Sequence, residues 1–428
     1  MTTLLQNGDA GYDEARSVWN AMIDRYPAAI ARCHDTADVV AAVRFAREAG
    51  LEIGVRCGGH SIAGHAVPDG GLMIDLTPMN AVRVDPERRL AWVQGGALLG
   101  ELDKAAQQFG LATTAGNVSH TGVGGLTLGG GMGWLARQFG LACDNVASYE
   151  LVTADGSVVR ASADENAELF WGLRGGGGNF GIVTSFEFRL HQVGTRALVA
   201  EFTYPMAAGF DVLRGWRELN ATAPRQATFT ANVTPDGVTV GYVWIGEGGD
   251  QLLPAFRALG PVADEHVEEM SYLTLQSRDD NVQGHRYRRY WKGHYFKSLP
   301  DDAIRALLNT PGVSASLQAY GGAIADVPDE DAAFSHRDTL FEFVTATRWE
   351  DPAEDATRIA QLREYAAGLA PYASGAYLNT LNGDPINRAF PPAKLARLTA
   401  LKTAYDPANV FHLNQNIRPG EATGETAA

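Results

Sequence analysis

Cysteine is scarce in this chain: Cys33, Cys57 and Cys143 are the only three in 428 residues, and no two stand at Cys-x-x-Cys spacing. A disulfide framework and a closed zinc site are thereby disfavoured, and reduced thiols fit a cytoplasmic location. No stretch of 18 uncharged apolar residues occurs, so no spanning helix and no membrane partner are expected. The opening MTTLLQNGDAGYDEARS has no basic stretch followed by an apolar one, which speaks against a secretory leader. Positive charge is in deficit, with 35 Lys and Arg against 50 Asp and Glu and a net charge of -15. Without a basic block to offset that field, nucleic acid is not an expected partner. The phosphate loop GxxxxGK[ST] and the nucleophile elbow GxSxG are both missing, which removes two large enzyme classes.

What remains is enough apolar sequence, 45%, for two cores side by side. From 36 to 190 helix and strand patterns alternate. TADVVAAVRFAREAG carries apolar residues at helical spacing and closes at Gly50; LEIGVR, GLMIDL and LAWVQGG read as strands; LGELDKAAQQFG and NAELFWGL read as helices. IVTSFEFRL alternates Ile182, Thr184, Phe186 and Phe188 against Ser185, Glu187 and Arg189, as a half-buried strand does. Past 195 the texture becomes that of an antiparallel sheet. ATFTANV and VTVGYVWI flank Pro235-Asp236-Gly237, a hairpin signal in which Asp-Gly is expected to supply a positive φ. SASLQAYGG and TLFEFVTATRW add strands, with helices expected at 250–259 and 353–367, on one face of the sheet. The fold class is α+β. The expected units are 1–194, 195–380 and a return of 381–420 to the first unit, followed by a disordered tail, 421–428.

Glycine is abundant, 48 residues, and clustered: GVGGLTLGGGMG at 122–133 and GGGGNFG at 175–181. Such clusters let backbone N–H groups approach an anion closely, which points to a phosphate-bearing cofactor. Gly176, Gly178 and Gly181 satisfy GxGxxG, but a helix pattern precedes them and a strand follows, the reverse of a Rossmann turn. A third glycine pair lies in RCGGHS, 56–61, which holds His60 on a flexible turn. Three readings of His60 compete: a structural histidine, a metal ligand beside Cys57 and His65, and an attachment point for a carried group. No second Cys/His group stands at ligand spacing, and no metal site is expected.

RCGGHS, GVGGLTLGGGMGWLARQFGLACDNV, GGGGNFGIVTSFEF, YLNTLNGD and AYDPANVFHLNQNI together resemble the FAD-linked oxidases of the vanillyl-alcohol oxidase type, in the berberine-bridge-enzyme-like branch. The resemblance spans nearly the whole chain in the same order, and is one of texture alone from 195 to 340. It implies an FAD-binding unit of the PCMH type, built from the amino-terminal half and the extreme carboxyl terminus. It also implies a substrate unit with a large antiparallel sheet. His60 is then the residue bonded covalently to the flavin 8α-methyl. Gly58 and Gly59 would cradle the pyrophosphate, with Arg56 supplying local positive charge, and Cys57 and Ser61 would belong to the same cofactor-binding loop. Gly122, Gly124, Gly125, Gly129, Gly130, Gly133, Gly181, Ile182 and Val183 would form the remaining cradle. Asn414 and Asn416, with Gln415 between them, would lie near the pyrimidine edge. Val118 stands where many relatives have a second, cysteinyl attachment, so a single link through His60 is expected. Cys143 is read as structural, and Val123 occupies the position associated with access of dioxygen.

The implied reaction moves two electrons and a proton from a substrate C–H next to oxygen or nitrogen to FAD and then to O2, giving hydrogen peroxide. The substrate is a small molecule: an alcohol, sugar, amine or natural-product intermediate. Tyr377, opening YLN, is the expected base, provided that Arg348, Lys292 or Asn379 lowers its pKa. Some relatives use a Glu on the strand corresponding to TLFEFVTATRW, where Val344 stands here; Glu342, two residues away on the same strand face, is the runner-up. Tyr290, Trp291, His294 and Tyr295 are either pocket wall or one amphipathic strand. His120 is either structural or turned toward flavin or substrate. A flavin dehydrogenase with another acceptor and a non-catalytic flavin-binding protein remain as alternatives.

Overall fold

The structure is a computed structural model that describes residues 3–280, 284–310 and 312–420; the tail expected to be disordered lies outside the described residues. Three sheets organise it. Leu72–Asp75 runs parallel to both Ala29–Arg32 and Ile53–Arg56, with Thr3–Leu5 antiparallel at the edge. The helix Thr36–Ala49 covers this sheet with Val39, Ala42, Val43 and Ala46. Gly50 ends it at φ 64°, as the sequence predicts, and Asp35 caps its first turn by accepting the Asp38 N–H at 2.9 Å.

The second sheet has five antiparallel strands in the order Val82–Asp85, Leu90–Gln94, Ile182–Arg189, Val146–Val152, Val158–Ser162. Phe186 and Phe188 enter its core while Arg189 is exposed, which is the expected alternation. The helix Pro392–Tyr405 packs Leu398 and Leu401 into the same core, beside Leu169 and Phe180.

The third sheet is antiparallel and seven-stranded: Asp264–Ser271, Arg196–Pro205, Gly237–Ile245, Ala227–Thr234, Ala315–Ala319, Phe341–Trp349, Arg288–Phe296. The helices Gly209–Ala221, Asp301–Leu308 and Asp355–Leu369 bury Trp216, Ile304, Leu307 and Leu362 against one face. The α+β architecture, with helices on one face of the large sheet, is that of the implied fold.

Its hairpin forms where expected, for a different reason. Thr234 pairs with Gly237 across the two-residue loop Pro235-Asp236, and neither Asp236 nor Gly237 has a positive φ. Gly237 already lies in the strand, where a Cβ would meet the Tyr204 carbonyl oxygen at 2.6 Å. The neighbouring strand, and not the turn, demands glycine there.

Candidate active site

The site begins where Ile53–Arg56 runs out into the loop carrying Cys57 to Ser61. Gly58 lies so close to the next glycine loop that a Cβ on it would stand 2.3 Å from the Gly122 amide nitrogen. Two backbones meet at that point, and only hydrogen fits between them. Gly59 adopts φ 68° and turns His60 back over the junction. Cys57 Sγ donates to the Ala97 carbonyl at 3.5 Å, an internal packing role. Ser61 starts the next turn, its carbonyl accepting the Gly64 N–H at 3.1 Å.

His60 stacks on Trp19, ring centroids 4.7 Å apart and 14° from parallel. Its Nε2 lies 2.7 Å from Nδ1 of His120. Trp19 meets Trp291 edge-on at 5.5 Å, and Arg289 holds its guanidinium 3.9 Å over the Trp19 ring. Both Trp291 and Arg289 come from the third sheet, so the amino-terminal segment joins the His60 loop to that sheet. Asn20 completes the joint, donating to the Ile62 and Arg289 carbonyls and accepting the Arg289 N–H. Burial, His120 and Arg289 push the His60 pKa down to about 3, so its ring is neutral at pH 7.

A cavity of about 520 Å³ opens beside this cluster, with Arg56, Gly58, His60 and His120 in its wall. FAD fits the residues present. Arg56 Nε, in the wall of this cavity, and Asn414 Oδ1 and Asn416 Oδ1, on the carboxyl-terminal segment, are buried with no hydrogen-bond partner among the described residues, which is what groups awaiting a ligand show. Gly125 and Gly178 face open space, so nothing of the protein forces glycine there. Asn414 is aimed by its own amide, which donates to Gly178 and Phe411 carbonyls at 3.0 Å each. The ion pair Lys402–Asp406, fully buried, fastens that segment: Lys402 Nζ donates to the Asn179 and Phe411 carbonyls at 2.8 Å.

Other glycines expected in the cradle serve the protein itself. A Cβ on Gly129 would strike Asn379 at 2.2 Å, and one on Gly133 would strike the Ala115 carbonyl at 1.8 Å; Gly130, at φ 123°, lies under Phe334. Gly181 abuts the Val152 carbonyl, Gly124 lies near Gly95, and Ile182 and Val183 are buried at the head of their strand. Val123 is buried at the start of the helix Val123–Leu128.

Tyr377 and Glu342 do come together, in a buried cluster of tyrosines. Glu342 accepts the Tyr320 hydroxyl proton at 2.7 Å; Tyr320 and Tyr295 hydroxyls are 3.4 Å apart, and the Tyr295 and Tyr377 rings 6.4 Å. Burial pushes Glu342 up to about 7. Tyr377 oxygen accepts the Gly131 N–H at 3.0 Å and the Asn379 amide at 2.8 Å, yet burial and the Glu342 charge raise its pKa. The expectation of a phenol lowered by cations is therefore corrected. Arg348 is exposed and lies over Tyr287, 4.9 Å from its centroid, and Lys292 is paired with Asp384 at 2.5 Å; of the three proposed helpers only Asn379 touches Tyr377.

The strand Arg288–Phe296 divides its aromatics between two faces. Tyr290 accepts from Arg363 and His294 bonds to the Ala366 carbonyl, both on the helix side, so they are not pocket wall; Trp291 and Tyr295 are on the opposite face, against Trp19 and Tyr377. Sequence reasoning missed Trp19, Asn117, Arg289, Gln318 and Tyr320. Asn117 donates to Gln318 at 3.1 Å, and Gln318 stands beside Glu342 in register. No local motif marks any of them, because each gains its place through pairing with a distant strand or loop.

The comparisons with known proteins bear on the family and the fold. A family model described as an FAD binding domain matches residues 27–162, and one described as berberine and berberine like matches 376–418. An FAD-linked oxidoreductase of Dictyostelium discoideum is 32% identical over 94% of this chain and 91% of its own. The (R)-6-hydroxynicotine oxidase of Paenarthrobacter nicotinovorans is 31% identical, covering 96% and 95%. The solved glucooligosaccharide oxidase of Acremonium strictum, described with a 6-S-cysteinyl, 8α-N1-histidyl FAD, superposes with a TM-score of 0.88 at 26% identity, covering 98% and 97%.

Proposed function

Because this chain belongs to the berberine-bridge-enzyme-like family of FAD-linked oxidoreductases, we propose that it is an oxidase of a small hydroxylated or amine substrate, with FAD attached singly through His60. Bound FAD would supply a two-electron acceptor that dioxygen re-oxidises to hydrogen peroxide.

The observation that carries the reading is the placing of two complementary sites across one joint. On one side stands the neutral imidazole of His60, above the glycine loops. On the other, Glu342 is raised to about 7 among the Tyr295, Tyr320 and Tyr377 side chains. A base works best when its pKa lies near the working pH, so Glu342 takes the proton from the substrate O–H or N–H. Tyr377 stays protonated. Its oxygen is already filled by two donors, and its own O–H orients the substrate. The Tyr295 and Tyr320 rings keep water from Glu342 and hold its carboxylate in place. Relatives act on 6-hydroxynicotine and on glucooligosaccharide by their names, and these two chemistries frame the substrate search.

The test is peroxide release in air from a panel of cyclic amines and oligosaccharides, beside reduction of an artificial dye without oxygen. Dye reduction with no peroxide would make the protein a dehydrogenase. Acid denaturation of wild type and His60→Ala tests the attachment, since flavin released entirely from wild type rules it out.

A further inference from the structure

The two nitrogens of His60 sit in different settings. Nε2 is 2.7 Å from His120 Nδ1, a full hydrogen bond, whereas Nδ1 has only the Thr121 hydroxyl at 3.4 Å. A neutral imidazole carries one proton, and a hydrogen bond between two imidazoles needs one donor and one acceptor. The Thr121 hydroxyl can donate or accept, so it leaves Nδ1 of His60 free to be the unprotonated nitrogen; in that tautomer the proton lies on Nε2, pointing at His120. His120 then keeps its own proton on Nε2, the buried atom that lacks a protein partner.

Charge separates the pair further. Burial first and Arg289 after it disfavour the protonated form of both rings, and the His120 pKa also lies below its ordinary value, but only His120 has a carboxylate working in its favour. That carboxylate is Asp280, held by the Ser119 N–H at 2.8 Å and the Ser119 hydroxyl at 2.6 Å. His120 is therefore the better place for an extra proton. Trp19, stacked on His60, fixes the plane of the ring and hence the line along which Nδ1 points.

From this we infer that His120 is the proton acceptor for flavin attachment: it takes the Nε2 proton of His60 while Nδ1 of His60 bonds to the 8α carbon. The inference rests on the reading of His60 as the attachment site. One methyl C–H bond breaks and one N–C bond forms. The C–H proton leaves to solvent and the imidazole proton to His120. The two electrons released pass through the ring system to dioxygen, which leaves with two protons as hydrogen peroxide. Overall a C–H and an N–H become a C–N bond, and O2 becomes H2O2.

The experiment uses full-length protein from riboflavin-starved cells, mixed with FAD in air and precipitated with acid at intervals. Yellow colour in the pellet reports attachment, and flavin in the supernatant reports unattached binding. Wild type is expected to attach its flavin with one peroxide per link. His120→Ala is expected to bind FAD but attach it at least tenfold more slowly, and His120→Asn, whose Oδ1 accepts near the Nδ1 position, to recover much of the rate. Attachment by His120→Ala at the wild-type rate overturns the inference. So does failure of both variants to hold even unattached FAD, which would make His120 a binding residue. A colourless wild-type pellet, or a yellow one from His60→Ala, overturns the attachment reading itself and is distinct from either.

Discussion

The two halves of the site are built by different means. Around His60, loops do the work: glycines bring backbones within van der Waals distance, and the groups left free are amides and imidazoles set by turns a few residues long. Around Glu342, a sheet does it: Tyr295, Glu342 and Gln318 lie side by side because three strands from 288 to 349 pair in one register. A loop site tolerates changes in side chain but not in backbone volume. A sheet site tolerates the reverse, since its backbone is held by its neighbours and its chemistry resides in single side chains.

Four substitutions probe that contrast, beginning with the largest effect. His60→Ala abolishes attachment, read as complete loss of acid-stable flavin. Glu342→Gln removes the base and lowers kcat by about 100-fold or more while attached flavin stays at the wild-type level. In wild type the rate rises with pH through about 7 as the Glu342 carboxyl ionises; in the variant that limb disappears. A wild-type profile flat across pH 6–8 would remove Glu342 from the role. Gly58→Ala forces the two glycine loops apart, and FAD affinity falls about tenfold with little change in far-ultraviolet circular dichroism. Normal affinity in that variant would show that the loops can part freely.

The smallest effect lies behind the loop that carries Asn117 and His120. Asp103 is buried, bonded to Gln276 at 2.9 Å, and pushed from its ordinary 3.8 up to about 7. Between those values it is protonated in the folded chain and ionised in the unfolded one. Stability due to this group therefore falls as pH rises across that window, and the penalty is complete above 7. Asp103→Asn should raise the melting temperature at pH 8 by several degrees and at pH 4 by much less, as followed by differential scanning fluorimetry. An equal shift at both pH values would contradict the assignment.

Which parts were legible in the sequence follows from the same contrast. The helix closing at Gly50, the strand Ile182–Arg189 and the helix Asp355–Leu369 were readable because their patterns repeat within one element, whereas Gly209–Ala221 and Asp301–Leu308, which cover the same face, were not expected. The hairpin at 235–236 was readable too, although Gly237 owes its identity to Tyr204 on the neighbouring strand and not to the turn. Tyr377 and Glu342 were singled out by the resemblance, with strand alternation placing Glu342. Their roles were not, because a pKa depends on burial and on charges brought from elsewhere. Lys292 and Arg348 looked equally available to Tyr377 until Asp384 and Tyr287 claimed them.

By itself the sequence determined the α+β class, the glycine loops and the imidazole at 60, since periodicity, a missing Cβ and a residue's chemistry are local properties. Only the tertiary structure decided that Trp19 covers that imidazole, that His120 meets its far nitrogen, and that Glu342 rather than Tyr377 titrates near neutrality. Those outcomes depend on which surfaces exclude water from one another, and that is decided when segments as far apart as 19, 120, 289 and 342 pack together.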